Sequence, residues 1–163
     1  MAGAAKGGSG GGGKDALYAD LVAQLESLLE DCPDPVARMA TTAALLKDNL
    51  PAVSWAGFYL RRGDGALVVG PYQGPLACMV LPPGRGVCGA AAARRETVVV
   101  EDVHAFPGHI ACDATSRSEI VVPLMKDGEV WAVLDLDSRE PAAFDGTDRK
   151  HLEALAAIVA RAP

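Results

Sequence analysis

The hydrophobic period of the chain changes at Pro51, and that change restricts the fold more than any other feature. Before it, Leu17, Leu21, Leu25, Leu28 and Leu29 recur at helical spacing. They predict a helix over residues 15–31, with Asp15 placed to cap it. Pro33 and Pro35 break that helix. Asp34 then caps a second, with Pro35 at its first position and Val36, Met39, Ala43 and Leu46 along one face. After Pro51 the period becomes two. Residues 52–61 and 66–73 read as strands joined by the turn Arg62-Gly63-Asp64-Gly65. Residues 77–81 read as a short strand carrying Cys78. Gly84-Arg85-Gly86-Val87-Cys88-Gly89 is a turn into a short Ala-rich helix, and residues 97–101 form a brief strand. Residues 102–117 lack periodicity and read as a long ordered loop. Residues 119–125 and 129–137 are the last two strands, and Asp145 caps a closing helix with Leu152, Leu155, Ile158 and Val159 inward. Segregated helices around an antiparallel sheet make an α+β fold.

Residues 1–14 are Gly-rich with nothing to bury, so they are expected to form a disordered tail before one domain over residues 15–163. With half of the residues hydrophobic and 5% aromatic, the core must be built from Ala, Val and Leu. A net charge of −6 argues against nucleic acid or an anionic membrane as partner. No segment approaches the roughly 20 apolar residues of a membrane-spanning helix. The first 14 residues hold no apolar stretch of a secretory leader. Four cysteines are too sparse for a disulfide scaffold. A reducing, cytoplasmic setting follows, in which a functional disulfide is transient.

Cys78, Cys88 and Cys112 therefore become candidates for chemistry. Cys112 lies in the aperiodic loop with His104, His109 and Arg117, groups able to favour a thiolate. The alternative for Cys112 is a small buried hydrophobe. Either Cys78 or Cys88 is close enough in sequence to meet Cys112, and the sequence does not choose between them. Cys32 stands apart before Pro33 and reads as a spare thiol. A zinc site from Cys78, Cys88, His104, His109 and Cys112 is a rival, weakened by the lack of closely paired ligands. The glycines at 84, 86 and 89 lack the lysine of a phosphate loop and leave a backbone nest for a carboxylate as the alternative.

Strand alternation puts Asp135 and Asp137 on one face, opposite Leu134 and Leu136. Two acids on one face of an apolar strand suggest a wet or functional surface. Glu119 joins them only in the right register. A two-residue Asp127-Gly128 turn would send it to the other face. A three-residue Lys126-Asp127-Gly128 loop would pair Met125 with Glu129 and set Glu119 opposite Asp135, and this loop is the expectation. Clustered acids raise at least one carboxyl pKa and suit a cationic amine. Trp55 and Tyr59 are placed to wall a small apolar pocket.

Four runs together resemble the free methionine-(R)-sulfoxide reductases, a family of single GAF-domain enzymes. They are Gly84-Arg85-Gly86-Val87-Cys88-Gly89, Glu101-Asp102-Val103-His104 with Gly108-His109-Ile110-Ala111-Cys112-Asp113, Ser118-Glu119-Ile120-Val121 and Leu134-Asp135-Leu136-Asp137-Ser138. The likeness spans residues 15–161 and leaves out Cys32. It implies a GAF-like fold: a six-stranded antiparallel sheet, N- and C-terminal helices packed on one face, a ligand pocket on the other. It implies free L-methionine (R)-sulfoxide as substrate, Cys112 as nucleophile, Cys78 as main resolving thiol and Cys88 as an auxiliary one. Glu119, Asp135 and Asp137 would bind the substrate. A thioredoxin-type reductant would restore the thiols, with no metal or organic cofactor, and a homodimer through the terminal helices is allowed. A ligand-binding GAF sensor without turnover is the other reading, since a fold does not fix a function.

Overall fold

Asp34 and Asp145 start their helices as the sequence predicts. The computed structural model describes residues 11–161. Helix α1 is Gly11–Leu29, α2 Pro35–Asn49, α3 Gly86–Arg94 and α4 Gly146–Ala160. The strands are β1 Val53–Arg61, β2 Leu67–Gln73, β3 Val80–Leu81, β4 Val98–Val100, β5 Ser118–Lys126 and β6 Glu129–Ser138. Asp34 accepts a hydrogen bond from the Ala37 amide, and Asp145 forms a capping box with Asp148.

The first helix departs from expectation. It begins at Gly11, so residues 11–14 are helical rather than part of a tail, and residues 1–10 lie outside the described residues. Tertiary contacts outweigh the entropy of the glycines. Lys14 Nζ is 3.2 Å from Asp145 Oδ2 and also pairs with Asp148, and the Tyr18 hydroxyl donates to Asp148 at 2.7 Å. Asp15 lies inside the helix and meets His151 Nε2 at 2.6 Å instead of capping. Leu28 and Val36, expected on buried faces, are exposed.

All six strands run antiparallel in the order β3-β2-β1-β6-β5-β4. Alternation divides the sheet into two faces. Ala56, Phe58, Ile120, Val122, Leu134 and Leu136 join the core formed with α1, α2 and α4. Trp55, Tyr59, Val121 and Val133 face the other way, in a second cluster with Val87, Cys88 and Ala91 of α3. The short helix thus covers the pocket face, while the terminal helices cover the opposite one.

The β5–β6 hairpin corrects the expected register. Its loop is the two-residue Asp127-Gly128, both at positive φ, with Lys126 paired to Glu129. A bulge between Leu124 and Met125 then takes up one residue, because Met125 pairs with Val130 but Leu124 with Ala132. That slip restores the parity a two-residue loop would have lost. Glu119 consequently lies opposite Asp137, with Asp135 opposite Val121, and all three acids share the pocket face. The predicted face holds; the predicted partner, Asp135, does not.

Candidate active site

The pocket face of the central strands carries a gap where a side chain would be. A Cβ on Gly57 would stand 2.3 Å from Tyr72 Cβ and 2.6 Å from Trp55 Cη2. Only a glycine there lets the Trp55 ring lie over the strand, where it stacks on Tyr72 with ring centroids 5.2 Å apart. Trp55 Nε1 donates to the Pro75 carbonyl and the Tyr59 hydroxyl to the Cys78 carbonyl, each at 3.1 Å. The two aromatics do more than wall a pocket. They fasten the loop before β3 to the sheet.

That loop holds Cys78, which precedes β3 instead of lying within a strand, since β3 contains only Val80 and Leu81. Cys78 is joined to Cys112 by a disulfide, with Cα atoms 5.3 Å apart. The bridge ties the loop before β3 to the loop before β5. Beneath it is a cavity of about 50 Å³, lined by Trp55, Tyr59, Cys88, His109, Cys112 and the three acids. With the disulfide closed, that volume has room for a few water-sized molecules and not for an amino acid.

The far wall is acidic. Glu119 and Asp135 are 5% and 6% exposed, and Asp137 is half-buried. Burial raises Glu119, Asp135 and Asp137 above ordinary carboxylate values, with mutual repulsion adding to the effect for Glu119 and Asp137. Asp135 is pushed up to about 7. A side-chain hydrogen bond from Ser116 opposes the rise at Asp137. Asp135 Oδ1 is buried with no hydrogen-bond partner among the described residues. His109 is the basic side chain among the lining residues, and burial, with His104 adding to it, lowers its pKa. The wall therefore has acceptors and no fixed cation to satisfy them. It suits a small cationic group brought in from solution.

Cys88 occupies the floor beside these acids. It is 3% exposed, with Sγ 3.9 Å from Glu119 Oε1. Its thiol is pushed well up by burial and then by Asp135 and Glu119. The turn before α3 aims it there. A Cβ on Gly89 would come within 2.7 Å of the Gly84 carbonyl carbon, so the helix can start tight against its own turn only with glycine at 89.

Not every predicted residue gathers here. His104 and Arg117 lie outside the cavity lining, and Arg117 faces Asp102 at 3.9 Å. The five-residue zinc set does not assemble, because Cys78 and Cys112 are bonded to each other. Cys32 lies far off near the α1–α2 junction, beside Arg38. Sequence reasoning missed Leu76, Leu81 and Ile110 as lining residues. Their apolar character was visible, but nothing in their spacing showed that two loops converge on one cavity.

A GAF-domain family model matches residues 34–162. The chain is 49% identical to Protein YtsP of Bacillus subtilis over 93% of each sequence. It is 46% identical to the free methionine-R-sulfoxide reductase of Escherichia coli, over 88% of this chain and 87% of that one. Its structure superposes on the free methionine-R-sulfoxide reductase of Neisseria meningitidis, solved in complex with its substrate, with a TM-score of 0.89 at 48% identity, covering 99% of this chain and 93% of that one. The chain belongs to the GAF-domain family and, within it, to the free methionine-R-sulfoxide reductases.

Proposed function

We propose that this protein reduces free L-methionine (R)-sulfoxide to L-methionine, with Cys112 as nucleophile, Cys78 as resolving thiol and Cys88 in an auxiliary place. One observation carries the reading: the Cys78–Cys112 bond closes a cavity whose opposite wall is three acids, Glu119 and Asp135 buried and Asp137 half-buried. The aromatic residues Trp55 and Tyr59 would border the methyl group, and Glu119, Asp135 and Asp137 would receive the ammonium and supply a proton. Peptide-bound methionine has no ammonium, so an enclosed acidic wall selects the free amino acid.

The chemistry balances in three steps. A protonated acid donates to the sulfoxide oxygen as the Cys112 thiolate attacks sulfur. The protonated oxygen then passes from the methionine sulfur to the Cys112 sulfur as the bond between the two sulfurs breaks, so methionine leaves as the thioether with that electron pair and Cys112 becomes a sulfenic acid. Cys78 displaces that oxygen as water and forms the disulfide. A dithiol of thioredoxin type then takes over the disulfide and returns two thiols. An acid raised to near neutrality, as Asp135 is, can hold a proton for donation at working pH. Tyr59 holds the Cys78 carbonyl and so keeps the resolving sulfur near its target.

The same reading places the enzyme in the cytoplasm, where such a dithiol is at hand. Among the described residues no helix is long and apolar enough to cross a membrane. The outer faces of α1 and α4 are where two copies would associate. The test is consumption of the free (R)-sulfoxide with dithiothreitol as reductant. The wild type is expected to turn over and Cys112→Ser to lose at least about 10³-fold. Full turnover by Cys112→Ser would overturn the assignment.

A further inference from the structure

Cys88 has no necessary part in the two-thiol cycle, yet it is held against the acids. Its sulfur, a Glu119 oxygen and an Asp135 oxygen all lie within 4.8 Å of one another. All three residues are buried, and Asp135 Oδ1 has no hydrogen-bond partner among the described residues. A tetrahedral zinc ion binds sulfur at about 2.3 Å and carboxylate oxygen at about 2.1 Å, which separates those two ligands by about 3.6 Å. Cys88 Sγ and Glu119 Oε1 are 3.9 Å apart, so a few tenths of an ångström of side-chain movement closes that pair on a metal. One thiolate and two carboxylates leave the fourth position open toward the cavity. The mixed donor set is soft enough for zinc or cadmium and poorly matched to magnesium or calcium, which prefer oxygen alone.

We propose that Cys88, Glu119 and Asp135 form a binding site for a thiophilic divalent cation of the zinc or cadmium class, and that the ion occupies the place of the substrate's ammonium group. Binding replaces the Cys88 proton with the metal, so one proton is released per ion from that thiol. It also supplies the positive charge that the acidic wall lacks. The ion acts as an inhibitor and not as a cofactor, because the acids it takes are the ones assigned to substrate; this second half rests on the proposed reductase reading.

Cadmium added to the oxidised full-length protein tests the site directly. With Cys78 and Cys112 bonded, the free thiols are Cys32 and Cys88. We expect a thiolate-to-cadmium absorption band saturating at one ion per chain, lost in Cys88→Ser and kept in Cys32→Ser. Glu119→Gln, which keeps the buried thiol and the side-chain volume, is expected to weaken cadmium binding by at least about tenfold. Absence of the band in the wild type, or a band that follows Cys32, overturns the metal site. In Cys78→Ser/Cys112→Ser, whose cavity is not tied shut, free methionine sulfoxide is expected to displace the ion. A cadmium ion bound through Cys88 that the sulfoxide leaves in place would contradict the shared occupancy and the substrate assignment, while the metal site stands.

Discussion

The buried Asp135 carboxyl gives stability a definite pH dependence. Its folded pKa is about 7 because burial disfavours the charge, against roughly 4 in an unfolded chain. Between those values the folded protein holds a proton that the unfolded one has released. Stability from this group is therefore greatest below about pH 4 and falls as pH rises to about 7. Asp135→Asn removes the penalty. Its thermal midpoint at about pH 8 is expected to exceed the wild type by several degrees, on the order of 5 °C, and the gap should close near pH 4. Calorimetry across that range checks it, and turnover of the free sulfoxide should fall in the same variant. Tyr59→Phe removes one hydrogen bond, the one to the Cys78 carbonyl. Rapid-quench thiol labelling should show disulfide closure slowed about fivefold relative to methionine release, the rate value of about 1 kcal/mol.

At the scale of elements, the sequence was legible where the chain obeys one period at a time. The aspartates at 34 and 145, the prolines after α1 and the alternation in β1, β5 and β6 located most elements, because these signals are local. The register of the β5–β6 hairpin was half legible. Asp127-Gly128 marks the turn, but the bulge at Leu124 and Met125 has no local signature, and it alone sets Glu119 opposite Asp137. Gly57 looked like any strand residue; its need for Trp55 and Tyr72 exists only in three dimensions. Gly57→Ala is expected to cost about 1–3 kcal/mol by overpacking and to raise KM for the sulfoxide through displacement of Trp55. Urea unfolding and steady-state kinetics would show both. Arg38 was hidden in a similar way. Nothing in the sequence singles it out, yet its guanidinium is buried and donates to the carbonyls of Leu29, Cys32, Ile158 and Val159. It ties the C-terminal ends of α1 and α4 to α2. Arg38→Met leaves those carbonyls without a donor and is expected to cost about 3 kcal/mol, read as a lower urea midpoint. Turnover per folded molecule should be unchanged, since the site lies across the sheet.

For the molecule as a whole, the sheet acts as a partition. One side is a hydrocarbon core closed by α1, α2 and α4, and it backs the strands that hold three carboxyl groups together on the other. The two disulfide-bonded residues, Cys78 and Cys112, are carried on loops that meet across the cavity. The family motifs pointed to that meeting, while spacing alone left Cys78 and Cys88 as equal candidates; burial of Cys88 among the acids separates them physically. The most direct measurement is a mass map of thiols after the fully reduced protein meets one equivalent of free methionine (R)-sulfoxide without added reductant. One methionine per chain and a Cys78–Cys112 link, with Cys88 and Cys32 still alkylatable after unfolding, is the result expected. Methionine formed with Cys112 left as a free thiol, or linkage of Cys88 to Cys32, would contradict the account.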